Sequence, residues 1–137
     1  MDRRTFLKTA GVAAAGITIL PGYVVSGLGH RMPSDKLNIA GVGIGGRGGG
    51  VIKAVKSENI VALCDVDWEY ASGLFDEFPK ARKFYDWREM FDKMANQIDA
   101  VVVGTPDHSH AIVSITAMKL GKHVYCEKPL THSVWES

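Results

Sequence analysis

The sequence predicts an α/β protein built on a doubly wound parallel sheet, and three observations carry that prediction. From residue 36 onward, short apolar runs alternate with helical segments at short intervals, which requires crossover connections between parallel strands. The first apolar run stops in a cluster of seven glycines within the ten positions from Gly41 to Gly50. Polar, chemistry-bearing residues gather directly after the apolar runs, at the edge where open parallel sheets bind their ligands.

Each element has its own warrant. Residues 36–42 (KLNIAGV) form a short apolar run and are predicted as a buried first strand. Residues 47–56 follow as a helix whose first turn is weakened by Gly48, Gly49 and Gly50. Residues 59–64 (NIVALC) are almost continuously apolar, as a strand covered on both faces should be. Residues 67–78 are helical in pattern and Pro79 closes them. A short third strand is expected over 82–85 and a helix over 87–94. Residues 99–104 (DAVVVG) are the clearest strand of the chain. An apolar helix over 108–120 stops at Gly121. Residues 122–126 supply a fifth strand, and 131–137 read as the opening of a further helix. The expected strand order is 3-2-1-4-5.

The first 33 residues are set apart as an export signal and linker. MDRRTFLK places an Arg-Arg pair ahead of twelve uncharged residues, Thr9 to Leu20, and the run breaks at Pro21-Gly22. A basic start, a short apolar middle and a break is the architecture of a signal peptide, and this one resembles the twin-arginine type. The run is shorter than the roughly 20 residues a helix needs to cross a bilayer, so no stable membrane span is expected. An exported, periplasmic or other extracytoplasmic location follows.

Charge is divided accordingly. Arg3, Arg4, Lys8 and Arg31 against Asp2 make residues 1–31 net +3 and leave the remainder of a +1 chain at −2. A mildly acidic domain offers no electrostatic footprint for nucleic acid. Cys64 and Cys126 match no metal spacing. In the expected strand order they lie three strands apart, roughly 14 Å, too far for a disulfide. Two free thiols are expected.

The glycine cluster admits two G-x-G-x-x-G registers, Gly41/Gly43/Gly46 and Gly43/Gly45/Gly48. The second leaves a first strand of ordinary length and is preferred. Its first glycine permits the tight turn out of the strand, its second lets backbone approach a pyrophosphate, and its third allows helix and strand to pack closely. The helix start then offers free N–H groups and a positive dipole end to phosphate, with Gly46 and Arg47 beside them. The motif alone is weak, but its context is specific. Asp65 ends the second strand twenty positions after Gly45, where the dinucleotide-binding fold places the acid that holds the adenosine ribose. Asp67 is the second candidate for that role. A carboxylate here repels a 2′-phosphate, which favours NAD over NADP. The prediction is therefore a Rossmann-type, dinucleotide-binding domain over residues 34–137.

Two further motifs follow strands four and five: Thr105-Pro106-Asp107-His108-Ser109-His110 and Glu127-Lys128-Pro129-Leu130. Topology brings both to the sheet edge that carries the glycine loop. His108 and His110 could equally be polar residues of a helix N-terminus. Two histidines two apart can bind metal, but no third ligand is visible and no metal site is expected.

The stretch VVVGTPDHSHAIVSITAMKLGKHVYCEKPL resembles the Gfo/Idh/MocA oxidoreductases, with their TPxxxH turn and EKP motif. Together with the glycine loop and VALCDVD, the resemblance covers residues 36–135. It implies that Lys128 is the catalytic residue beside the nicotinamide and the reacting hydroxyl, with His108 as a second catalytic candidate, that Glu127 orients cofactor or lysine, and that Thr105, Pro106 and His108 line the nicotinamide side. It also implies a cis peptide before Pro129. The implied activity is hydride transfer on a sugar, polyol or related carbohydrate-like hydroxyl compound, by an intact protein expected to be a homo-oligomer. Two alternatives stay open: an NAD-dependent glycosidase that oxidises its sugar transiently, and a non-catalytic nucleotide-binding fragment. The family's second, substrate-binding domain with its Asp-x-x-x-His pair is absent from these 137 residues, so the chain is expected to be truncated and inactive alone.

Overall fold

The computed structural model describes residues 36–137, and the signal and linker expected over 1–33 lie outside the described residues. Five strands form one parallel sheet in the order β3-β2-β1-β4-β5: β1 Asn38–Val42, β2 Asn59–Cys64, β3 Arg82–Phe84, β4 Ala100–Val103 and β5 His123–Cys126. Four α-helices connect them: α1 Arg47–Ala54, α2 Ser72–Glu77, α3 Trp87–Met94 and α4 Asp107–Lys119. This is the predicted Rossmann-type arrangement, with every neighbouring pair parallel.

Alternation along the strands feeds two separate cores. Ala40, Val42, Ala62, Cys64, Val101 and Val103 point to the side covered by α3 and α4, where they meet Met90, Phe91, Met94, Val113 and Ala117. Ile39, Leu63 and Val102 point to the other side and pack with Ile44, Ile52, Leu74 and Phe75 from α1, α2 and the loop before α1. Burial on both faces is why these strands read as continuous apolar runs. On the α1 side, the sheet beyond that helix is a shallow groove lined by Ile39, Val51, Val55, Ala100, Val102 and Val124.

Two helices differ from expectation. The segment after β2 was predicted helical from 67, but α2 begins only at Ser72. Asp67 is the reason: its Oδ1 accepts from Tyr70 N–H at 2.9 Å and its carbonyl from Ala71 N–H at 3.0 Å, closing a separate turn first. At the end of the chain only one 3₁₀ turn forms, Val134–Glu136, with Ser133 and Glu136 in a capping box. Cys64 and Cys126 are both free. The Lys128–Pro129 peptide is cis.

Candidate functional site

The site is built where the carboxyl ends of β1, β2, β4 and β5 meet. The ladders continue one residue past each strand: Gly43 N–H donates to Cys64 O at 2.9 Å, Gly104 N–H to Val42 O at 2.8 Å, and Glu127 N–H to Val103 O at 3.0 Å. All the loops that follow therefore leave the sheet at one level, on one edge.

The glycine loop occupies the centre. Gly43 takes φ +75°, and a Cβ there would lie 2.4 Å from Thr105 N. Gly48, in the first turn of α1, lies so close to the sheet that its Cβ would lie 2.2 Å from Gly43 O. Gly104, just after β4, would bring a Cβ to 2.4 Å of Gly48 Cα. These contacts place the turn and the close helix–strand approach on the Gly43/Gly45/Gly48 register. Gly104 is a fourth contributor to the same packing. The α1 N-cap, Gly46, has no side-chain cap, which leaves the helix start open to an anionic group.

Asp65 fixes this loop. Its Oδ2 accepts from Ile44 N–H at 2.7 Å and Gly45 N–H at 2.8 Å, and its Oδ1 accepts from Asp67 N–H at 3.0 Å. The carboxylate thus holds the loop against the end of β2, and Oδ1 keeps capacity for another donor. Beside it, Cys64 is a buried thiol whose pKa is pushed up to about 12, first by burial and then by the charges of Asp65, Asp86 and Glu89. It stays protonated at neutral pH and is no nucleophile.

A cleft of about 590 Å³ opens above the loop, lined by Gly43, Gly45, Gly46, Asp65, Thr105, Pro106 and His108 together with Val66, Tyr70, Tyr85 and Trp87. Of the sequence-predicted site residues, Arg47, Gly48, Glu127, Lys128 and the second ribose candidate Asp67 are not among its lining. Gly48 lies behind the loop, against the backbone of Gly43. Arg47 and Glu127 pair, Nε to Oε1, at 3.2 Å, with side chains 79% and 13% exposed. Lys128 is exposed on the next residue. Its ammonium has no hydrogen-bond or ion-pair partner among the described residues, leaving it free to engage a ligand.

His110 is the residue sequence reasoning passed over. It is 1% exposed, with Nδ1 2.5 Å from Pro129 O and Nε2 2.7 Å from Thr105 O. The ring therefore spans the two motif loops. The spacing of the TPxxxH turn already pointed here, because its last position is His110, whereas His108 is an exposed cleft residue. Among the described residues no cluster suited to a metal ion occurs, and no helix is long and apolar enough to cross a membrane.

The open helix start, the close backbone packing at Gly43 and Gly48 and the acidic residue that follows β2 fit a dinucleotide-binding turn. Comparisons with known proteins agree. The family model of the oxidoreductase family with NAD-binding Rossmann fold matches residues 36–137, and the twin-arginine translocation signal model matches residues 1–19. A glycosyl hydrolase family 109 protein of Shewanella pealeana is 30% identical over 99% of this chain and 35% of its own length. An inositol 2-dehydrogenase of Rubrobacter xylanophilus is 32% identical over 75% of this chain and 30% of its own. Among solved structures, a dehydrogenase from Bordetella pertussis in complex with NADH and UDP-GlcNAcA superposes with a TM-score of 0.62 at 26% identity, over 74% of this chain and 31% of that one. The chain spans about a third of the length of the relatives it matches. With one family model running through the glycine loop, the acidic strand end and both later motifs, this chain belongs to the Gfo/Idh/MocA oxidoreductases and carries their NAD-binding Rossmann fold.

Proposed function

We propose that this chain binds NAD in preference to NADP, and that the longer protein of which it has the sequence hallmarks is an exported oxidoreductase acting on a carbohydrate-like hydroxyl compound. The observation that carries the reading is the meeting of a glycine loop, Asp65 and the loops of Thr105–Pro106 and Glu127–Lys128 at one sheet edge. Gly43, Gly45 and Gly46 would cradle the pyrophosphate, with Gly48 allowing the approach and Arg47 adding charge near it. Asp65, with Asp67 as the second candidate, would hold the adenosine ribose and repel a 2′-phosphate. Thr105, Pro106 and His108 would line the nicotinamide side.

Bound NAD accepts or returns a hydride. The chain's own contribution is Lys128: an ammonium there holds the substrate oxygen and stabilises the negative charge that grows as its proton leaves. Glu127, drawn to Arg47, keeps the loop beside the glycine turn. Export by the twin-arginine route to the periplasm agrees with the signal over residues 1–19.

Calorimetric titration of the 137-residue chain with NAD and NADP tests the first claim. NAD is expected to bind about tenfold or more tighter, the discrimination a repelled phosphate supplies. NADP binding as tightly, or no saturable NAD binding at millimolar concentration, would overturn it. A glycosidase reading is favoured by one observation: the relatives matched over nearly the whole chain, signal region included, carry the glycosyl hydrolase family 109 name. Release of chromophore from chromogenic glycosides by the longer protein, without net NADH formation, would select that reading over the dehydrogenase.

A further inference from the structure

We infer that Tyr70 is a further cofactor-binding residue, its phenol hydroxyl donating a hydrogen bond to the pyrophosphate of a dinucleotide seated on the glycine loop; the inference rests on the NAD reading above. Tyr70 is a large aromatic left 68% exposed, yet its ring is not loose on the surface. A Cβ at Gly45 would lie 2.4 Å from Tyr70 Cδ1 and 3.0 Å from Cε1, and a Cβ at Gly46 would lie 3.5 Å from the phenol oxygen. The ring edge therefore runs along the loop from Gly45 to Gly46, with the hydroxyl at the Gly46 end.

That end is the open start of α1, whose N-cap has no side-chain partner. The hydroxyl itself has no hydrogen-bond partner among the described residues, the one bond recorded for Tyr70 being from its backbone N–H to Asp67. The backbone is thus anchored, by the Asp67 turn on one side and by buried Ala71 on the other, and only the phenol is uncommitted. It lines the cleft together with Asp65 and Pro106. A phenol is a donor that suits a charged oxygen acceptor, and the glycine backbone brings the pyrophosphate to the same place. Glycine at 45 then has two reasons: approach of the phosphate from one side, and room for the Tyr70 ring on the other.

Tyr70→Phe keeps the ring and removes the hydroxyl. Calorimetry of the 137-residue chain with NAD and with ADP-ribose should show both ligands weakened about tenfold, the fold-change expected for a lost bond to a charged group. The ³¹P resonances of bound NAD at saturation should also move between the parent chain and Tyr70→Phe. Affinities within twofold, or coincident ³¹P shifts, would overturn the inference while leaving the cofactor reading intact. A parent chain that binds neither ligand would remove the cofactor reading and this inference with it.

Discussion

The two walls of the cleft are held by opposite means. On the glycine-loop side, backbone rests on backbone: Gly43, Gly48 and Gly104 meet with no room for a Cβ, and Asp65 accepts the loop's N–H groups. On the side of the β4 and β5 loops, contact depends on side chains: buried His110 spans Thr105 and Pro129, and one exposed ion pair joins Arg47 to Glu127. The first wall is defined by atoms that are missing, the second by one ring that is present. The first should therefore fail when atoms are added, and the second when they are removed.

The largest effect is expected from adding one methyl group to the first wall. In Gly48→Ala the new Cβ meets Gly43 O at 2.2 Å, a backbone atom that cannot swing aside. A loss of about 3 kcal/mol of stability is expected, together with NAD binding, and urea denaturation reads it. Gly50→Ala is the internal contrast. It lies on the same helix with nothing within 4 Å of its Cβ, so better helix propensity should stabilise the protein by about 0.5–1 kcal/mol. Equal responses at the two positions would break the comparison.

The second wall is tested by removal. His110→Ala removes the ring held between Thr105 O and Pro129 O and opens a cavity at a 1% exposed site. The cost should be about 2 kcal/mol. His110→Phe fills the space without restoring either bond and should recover only part of it. If Phe restores full stability, the ring acts through packing alone and the span between the loops is incidental.

These contrasts also explain what the sequence disclosed. Strands, their order and the glycine register were legible because two-sided burial writes continuous apolar runs and because close backbone approach permits only glycine. Asp65 was legible by its place at the end of β2, but its bonds to Ile44 and Gly45 were not, since the same spacing serves a ribose or a loop. The helix predicted from residue 67 began late because one Asp67 carboxylate closes a local turn, a side-chain choice that periodicity does not register. His110 was hidden for a similar reason. Two histidines stand in the first turn of α4; the TPxxxH spacing singles out His110, but only the fold shows it enclosed between loops while His108 faces solvent.

Thr105 is where the two walls join, and it gives the finest test. Its backbone N lies against Gly43 on one side and its carbonyl meets His110 on the other, while its own Oγ1 is buried without a partner. A hydroxyl so placed costs stability in the free protein. Thr105→Val keeps the shape and removes that cost, so unfolding should show a gain of about 1 kcal/mol. If the hydroxyl serves the cofactor, NAD affinity should fall in the same variant. Stability and binding moving in opposite directions would identify Thr105 as a residue kept for its ligand at the expense of the fold. Stability falling instead would mean that the hydroxyl already has a partner, and that both walls are complete without a dinucleotide.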